Sequence, residues 1–302
     1  MTTRNSKAST ERWIWRNIAI AVPRTWEMLQ FSRGMDSGRC AFADRYQFRC
    51  ELNWRTVPGP PDFDRMMSDY STKLSEKGVE APKALRLGSW RGVEGVRDGL
   101  LTSHYGGYLP GEHCLLELVL LWPDRKQAEL ERRIISSIRE EPVMQGGLRH
   151  WQAFGMEAGV HTDVAPFLES CTVNPAHVDM IFRNRSKQRE EHFARRGLVK
   201  QWLEGSVGDW LHWWLPKDFE MESQTSDTID GHRLFMTTGT RWSWGIRRFF
   251  RQRLRCHAAA WICPQDERLY SVGLISHPSL ALTDARAAAA MLSCCGQKGL
   301  GV

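Results

Sequence analysis

Between Arg241 and Arg255 the chain reads Arg-Trp-Ser-Trp-Gly-Ile-Arg-Arg-Phe-Phe-Arg-Gln-Arg-Leu-Arg, with arginines interleaved among aromatics. Guanidinium groups bind phosphate oxygens and aromatic rings stack on bases. Trp242, Trp244, Arg247, Arg248, Arg251, Arg253 and Arg255 therefore suit a nucleic acid or an anionic surface. A long hairpin with rings packed inward and arginines in water gives the same pattern. Neither a glycine-rich phosphate loop nor an RNA-recognition submotif accompanies it. A second concentration of aromatics is Trp210, Trp213 and Trp214 around His212. Read as a strand, Trp210, His212 and Trp214 share one face and Trp213 takes the other. Such a cluster either docks a protein partner or fills a groove between two halves of the chain.

Two histidines have similar surroundings. His104-Tyr105-Gly106-Gly107-Tyr108-Leu109-Pro110 resembles His257-Ala258-Ala259-Ala260-Trp261-Ile262-Cys263-Pro264. An acid follows each proline turn, Glu112 in one case and Asp266 or Glu267 in the other. A histidine and a carboxylate across a hairpin could form an acid–base dyad, but the more economical reading is a structural repeat element with the histidine bonded to backbone. Catalysis also needs a nucleophile or an electrophile stabiliser. The patterns G-x-S-x-G, H-E-x-x-H and S-x-x-K are not found in a fitting setting. No catalytic residue is assigned, and a hydrolase-type enzyme using a hairpin histidine stands as an alternative. The eight cysteines form no C-x-x-C pair. Cys256, His257 and Cys263 come nearest to a ligand set, and their spacing reads as a strand with inward thiols. No metal and no cofactor are expected. Unpaired thiols fit a reducing compartment. No secretory leader is recognisable and no apolar run approaches the length of a membrane span. The expected location is cytoplasmic.

These groups need a scaffold. The chain has 302 residues and a net charge of +6, with the apolar and charged fractions of a globular protein. That length suits two domains, each able to bury a core. Residues 1–11 read as a flexible tail, 12–140 as a first domain, 141–150 as a linker, and 151–302 as a second domain with an Arg/aromatic insert near 238–254. Ordered self-similarity supports a tandem duplication beginning near Trp15 and again near Trp151. Glu94-Gly95-Val96-Arg97 matches Asp230-Gly231-His232-Arg233, and Leu118 to Pro123 matches Val272 to Pro278. Alternation from Tyr46 to Trp54 predicts a half-buried strand, and Cys114 to Trp122 a central one. Asp62 caps a helix carrying Phe63, Met66, Met67, Tyr70 and Leu74. In the second half, residues 186–204 read as a charged amphipathic helix and Trp210 to Leu215 as a strand. The resulting expectation is α+β: two tandem antiparallel-sheet sandwiches with helices packed on the sheets, related by a pseudo-twofold duplication.

The opening strand that ends in Val22-Pro23-Arg24-Thr25-Trp26, the Glu94-Gly95 and Asp230-Gly231 steps before a strand, and the closing helix resemble the PsbP-like α/β/α sandwich superfamily. That resemblance implies a binding, assembly or chaperone-like protein and carries over no functional residue. The leading expectation is a non-catalytic protein that binds a protein partner as an intramolecular pseudo-dimer. Trp210, Trp213, Trp214, Trp242, Trp244, Arg247, Arg248 and Arg251 are its candidate contacts. Nucleic-acid or anionic-surface binding through the insert is the alternative. The oligomeric state stays open.

Overall fold

The computed structural model describes residues 9–76, 78, 80–97, 99–243, 253–278 and 284–295. The chain divides into two compact units, Met1–Glu141 and Pro142–Val302. The first unit opens with β1 (Thr10–Trp15) and β2 (Ile18–Pro23), followed by β3 (Glu27–Phe31), β4 (Ser37–Ala43) and β5 (Phe48–Thr56). Helix α1 (Phe63–Glu76) leads to β6 (Glu80–Leu87), β7 (Trp90–Arg97), β8 (Leu100–Leu109) and β9 (Cys114–Trp122). Helix α2 (Ala128–Ser137) and β10 (Arg139–Glu140) close it. β1 and β2 form a hairpin with β10 on its β2 side. The remaining strands make a seven-stranded sheet in the order β3-β4-β5-β9-β8-β7-β6.

The second unit repeats this plan. β11 (Leu148–Ala153) and β12 (Met156–His161) form the hairpin, then come β13 (Leu168–Asn174), β14 (His177–Asn184) and β15 (Arg189–Arg196). Helices α3 (Val199–Trp202) and α4 (Val207–Trp214) precede β16 (Glu220–Ile229), β17 (His232–Trp242), β18 (Arg253–Ile262) and β19 (Leu269–Ser276). Helix α5 (Ala285–Ala290) and β20 (Leu292–Ser293) end it, with β20 paired to β12. The seven-stranded order β13-β14-β15-β19-β18-β17-β16 is that of the first unit, strand for strand.

The match extends to residues. Both hairpins turn through consecutive positive-φ residues, Arg16-Asn17 and Phe154-Gly155, the geometry of a tight hairpin turn. Trp13 pairs with Ile20, and Trp151 with Ala158, on the same rung counted from the turn. Both tryptophans are buried. Trp13 meets Phe42 of β4 edge-to-face at 5.6 Å, and Trp151 meets Phe182 of β14 edge-to-face at 5.0 Å. Each hairpin thus seals one face of its own sheet. In the first unit that face carries Cys40, Phe42, Cys50, Leu52, Leu116, Leu118 and Leu120, all buried. Their cross-strand registers, Cys50 with Leu120 and Leu52 with Leu118, stack them into one layer. The same layer takes one buried charge. Glu131 of α2 accepts from Tyr105 Oη at 2.6 Å, Ser103 Oγ at 3.0 Å and Trp122 Nε1 at 3.1 Å, and pairs with Lys126 at 3.0 Å. A buried carboxylate is tolerated when its lone pairs are filled in this way.

The architecture corrects the expected α+β class. The described residues are mostly strand, with three antiparallel sheets and five short helices, and no helix-packed α+β sandwich is formed. Two segments account for much of the difference. Residues 186–204 form β15 and the single turn of α3 in place of an amphipathic helix. Their charges looked solvated, yet ion pairs satisfy them inside the sheet: Arg183 with Glu190 at 2.7 Å and Arg189 with Glu191 at 3.1 Å. Conversely, Trp210 to Leu215 falls in α4 and its cap, because Ser206 and Asp209 close a capping box at the helix start.

Truncating Leu118, fully buried in β9, to alanine should destabilise the protein by about 3 kcal/mol through lost transfer energy and a residual cavity. Urea denaturation measures this. A cost under about 1 kcal/mol would show that β9 is not an interior strand.

Candidate functional site

The sheet face opposite each hairpin is covered by a helix and holds polar groups. In the first unit, Glu51 and Asn53 of β5 and Glu117 of β9 share that face with His104 of β8, because they alternate with the buried layer. Asn53 lies directly opposite Glu117. Gly106 faces α1 with no side chain, and a Cβ there would come within 3.1 Å of the Phe63 ring. The glycine lets α1 approach and brings Tyr70 down onto the sheet. Asp62 caps the start of α1 by accepting from the Arg65 amide at 3.1 Å.

Tyr70 is the centre of this cluster. Its Oη donates to Glu117 Oε1 at 2.6 Å and lies 2.9 Å from His104 Nδ1. Asn53 Nδ2 donates to Glu51 at 2.9 Å and to Glu117 at 3.4 Å. With the phenol proton engaged by the carboxylate, the Tyr70–His104 bond needs the proton on Nδ1, which leaves the lone pair on Nε2. Burial and then the hydrogen bond to Glu117 push the Tyr70 phenol well above its ordinary value of 10.0. Burial holds the His104 imidazole below 6.5, with the Glu117 charge acting in the opposite direction. A cleft of about 360 Å³ opens here, and Arg55, Met66 and Lys73 help to line it.

The alternative of a histidine–acid dyad across each proline turn is not what the described residues form. Glu112 accepts from Asn17 Nδ2 at 2.7 Å, Asp266 from Tyr270 Oη at 2.7 Å, and Glu267 from Lys200 Nζ at 2.5 Å. His104 finds its carboxylate through Tyr70 on a helix distant in sequence. His257 of β18 is buried but faces the hairpin side of its sheet, in line with Leu274, Glu191 and Phe182, so it does not match His104. Among the described residues its Nδ1 has no hydrogen-bond partner.

The tryptophans of α4 separate by helical period, not by strand alternation. Trp210 and Trp214 stack at 5.7 Å on the inner face. Trp214 lies 4.3 Å from the His192 ring and rests over Gly273. Arg196 sits 5.7 Å from the Trp210 ring centroid. Trp213 points away and is 77% exposed. Beneath α4, His192 Nε2 bonds Asp179 at 2.8 Å. Burial works to raise the Asp179 carboxyl, but the bond and charge of His192 outweigh it and hold the carboxyl below its ordinary value.

At the base of the Arg/aromatic segment, Arg253 lies 4.6 Å from the Trp242 ring centroid and forms an ion pair with Glu220. Arg241 pairs with Asp218 at 3.3 Å. Trp244, Arg247, Arg248 and Arg251 lie outside the described residues.

One cluster has the composition of a metal site. His232, Cys263, Cys294 and Cys295 bring their ligand atoms within 4.8 Å of one another. No metal was expected from the sequence, because the four positions are scattered. The sequence signals for it are the Cys263-Pro264 turn and the Cys294-Cys295 pair.

No family model matches the chain, and no curated protein matches it. Among solved structures, it is similar to the apo form of the immunity protein TplEi of the type VI secretion system from Pseudomonas aeruginosa. The TM-score is 0.36 at 10% identity, covering 93% of this chain and 91% of that one. A further match is the isotype 1 transferrin binding protein B of serogroup B Neisseria meningitidis, with a TM-score of 0.12 at 7% identity over 92% and 61% of the respective chains. Likenesses at this level carry no functional argument. No helix among the described residues is long and apolar enough to cross a membrane.

Proposed function

We propose that the chain is a non-catalytic binding protein whose second unit holds a protein partner. The observation that carries this reading is Trp213, 77% exposed on a helix whose other two tryptophans are packed. Tryptophan is enriched at the energetic centres of protein interfaces. A nearby support is β16, the terminal strand of its sheet, with residues 220–228 exposed. α4 packs on the same end of that sheet, where Gly208 meets Gln224 of β16 and Phe235 of β17. An extended partner segment added along β16 would satisfy its outer backbone groups.

Trp213→Ala should leave the melting temperature unchanged, because the side chain is exposed, and weaken partner binding by about 30-fold, equivalent to about 2 kcal/mol. Quantitative comparison of the proteins retained by the wild type and the variant in the source cells reads this out. An unchanged retained set would remove Trp213 from the interface and the reading with it.

The second reading is favoured by the Tyr70–Glu117–His104 cluster and its cleft. A neutral histidine with a free Nε2 lone pair beside an open cavity can accept a proton from a bound small molecule. NMR titration of the histidine Cε1–H signals should place His104 below 6.5, and Glu117→Gln should lower it further by removing the opposing charge. Because the unfolded chain takes up that proton first, His104 makes stability fall as pH drops below 6.5 toward its folded value. A His104 midpoint at or above 6.5 would rule out the neutral base.

A further inference from the structure

The arrangement of His232, Cys263, Cys294 and Cys295 is that of a coordination sphere. His232 Nε2 is 3.3 Å from Cys294 Sγ and 3.5 Å from Cys295 Sγ. The Cys294 and Cys295 sulfurs are 3.9 Å apart. Tetrahedral zinc, with Zn–S of about 2.3 Å and Zn–N of about 2.0 Å, requires S···S near ~3.8 Å and S···N near ~3.5 Å. The observed edges fit that tetrahedron. They do not fit a disulfide, whose sulfurs lie about 2.05 Å apart.

The surroundings prepare each ligand. His232 Nδ1 is 3.0 Å from the Asp230 carbonyl oxygen, so Nδ1 carries the proton and donates it, and the Nε2 lone pair faces the thiols. Trp261 Nε1 donates to Cys294 Sγ at 3.3 Å. The amides of Gln265 and Asp266 donate to Cys263 Sγ. These are the N–H donors that a metal-bound thiolate accepts. Neighbouring residues of an extended strand point to opposite sides. Cys295 escapes that rule with φ +40°, which turns the chain after β20 and brings both sulfurs to one side. His232, Cys263 and Cys294 are all buried.

The first unit shows what the cluster replaces. There the closing strand β10 is tied to the β8–β9 connection by a hydrogen bond, in which the Glu112 amide donates to Glu140 Oε1 at 2.9 Å. Glu140 pairs with Ile18, just after the hairpin turn. In the second unit Cys294 follows β20 at the corresponding edge of β12, and Cys263 starts the β18–β19 connection. His232 is the first residue of β17. Closing strand and strand connection thus meet in both units, through a carboxylate and an amide in the first and through thiols in the second.

We propose that the second unit contains a structural zinc site ligated by His232 Nε2 and the thiolates of Cys263, Cys294 and Cys295. Binding exchanges the thiol protons for Zn²⁺, and the protons leave to solvent. Four protein ligands fill the tetrahedron, so no position stays open for water or substrate, and the role is structural. The metal fastens β20 and α5, a helix of alanines and one arginine that brings little apolar area of its own, to β17 and the β18–β19 connection. The site is independent of the partner reading above.

The test is elemental analysis of the full chain purified without chelator, with Cys171→Ser as the control outside the cluster. The expected result is about one zinc per chain, retained in Cys171→Ser and lost in Cys263→Ser and His232→Ala. Should those variants fail to fold, titration of the metal-free wild type with Co²⁺ takes their place. Thiolate-to-cobalt charge transfer and the intense visible bands of a tetrahedral site support the proposal. Absence of both bands overturns it. So does a full chain that carries iron in place of zinc, or a disulfide among Cys263, Cys294 and Cys295 found by mass spectrometry under non-reducing conditions.

Discussion

A tryptophan laid edge-on against a phenylalanine organises each unit. Trp13 on Phe42 and Trp151 on Phe182 close one side of a seven-stranded sheet with a two-stranded hairpin. Aromatic pairs in this geometry add to the large apolar area they bury. Once that side is sealed, the alternation of strand side chains sends every second residue to the other side. There a helix lies over polar groups: Tyr70 over Glu117 and His104 in one unit, and Trp214 over His192 and Asp179 in the other. The chemistry of both helix-covered faces follows from where the hairpin sits.

The two units share this plan and differ in their polar solutions. The first buries a carboxylate, Glu131, beneath three hydrogen-bond donors and a lysine. The second buries Glu191 between His161 and Arg189. Each holds a charge inside the sheet assembly by filling its acceptor sites rather than by excluding it, which makes such groups costly to remove singly. The helix-covered faces differ more. α1 leaves a cleft beside Tyr70, whereas α4 fills the matching region with stacked tryptophans and turns a third outward.

Much of the strand content was legible because its signal is local. The alternation from Phe48 to Trp54 and the apolar run from Cys114 to Trp122 both mark strands by composition alone. β15 was not legible, since its arginines and glutamates find partners only once β14 and β19 lie beside it. The helix holding Trp210 carries its signal in Ser206-Val207-Gly208-Asp209, the capping box that starts it. Self-similarity is visible, yet the likeness of Glu94-Gly95 to Asp230-Gly231 misleads, because the first lies within β7 and the second in the turn before β17. The better guide was the spacing of Trp13 and Trp151 from their hairpin turns. The Tyr70–Glu117–His104 cluster and the histidine–cysteine cluster depend on contacts between residues distant in sequence, and sequence periodicity carries no signal for those.

The tight turns at Arg16-Asn17 and Phe154-Gly155 have a consequence for how such a chain can change length. Side chains on a strand reverse sides with each step, so a single inserted residue in either turn would rotate Trp13 or Trp151 out to water and leave Phe42 or Phe182 bare. The connection from Leu109 to Cys114 and its equivalent from Cys263 to Arg268 also keep one length, each ending in a positive-φ residue, His113 and Glu267. A change of length is therefore refused at the hairpins that cover these sheets, where one residue more or less would uncover the aromatic pair.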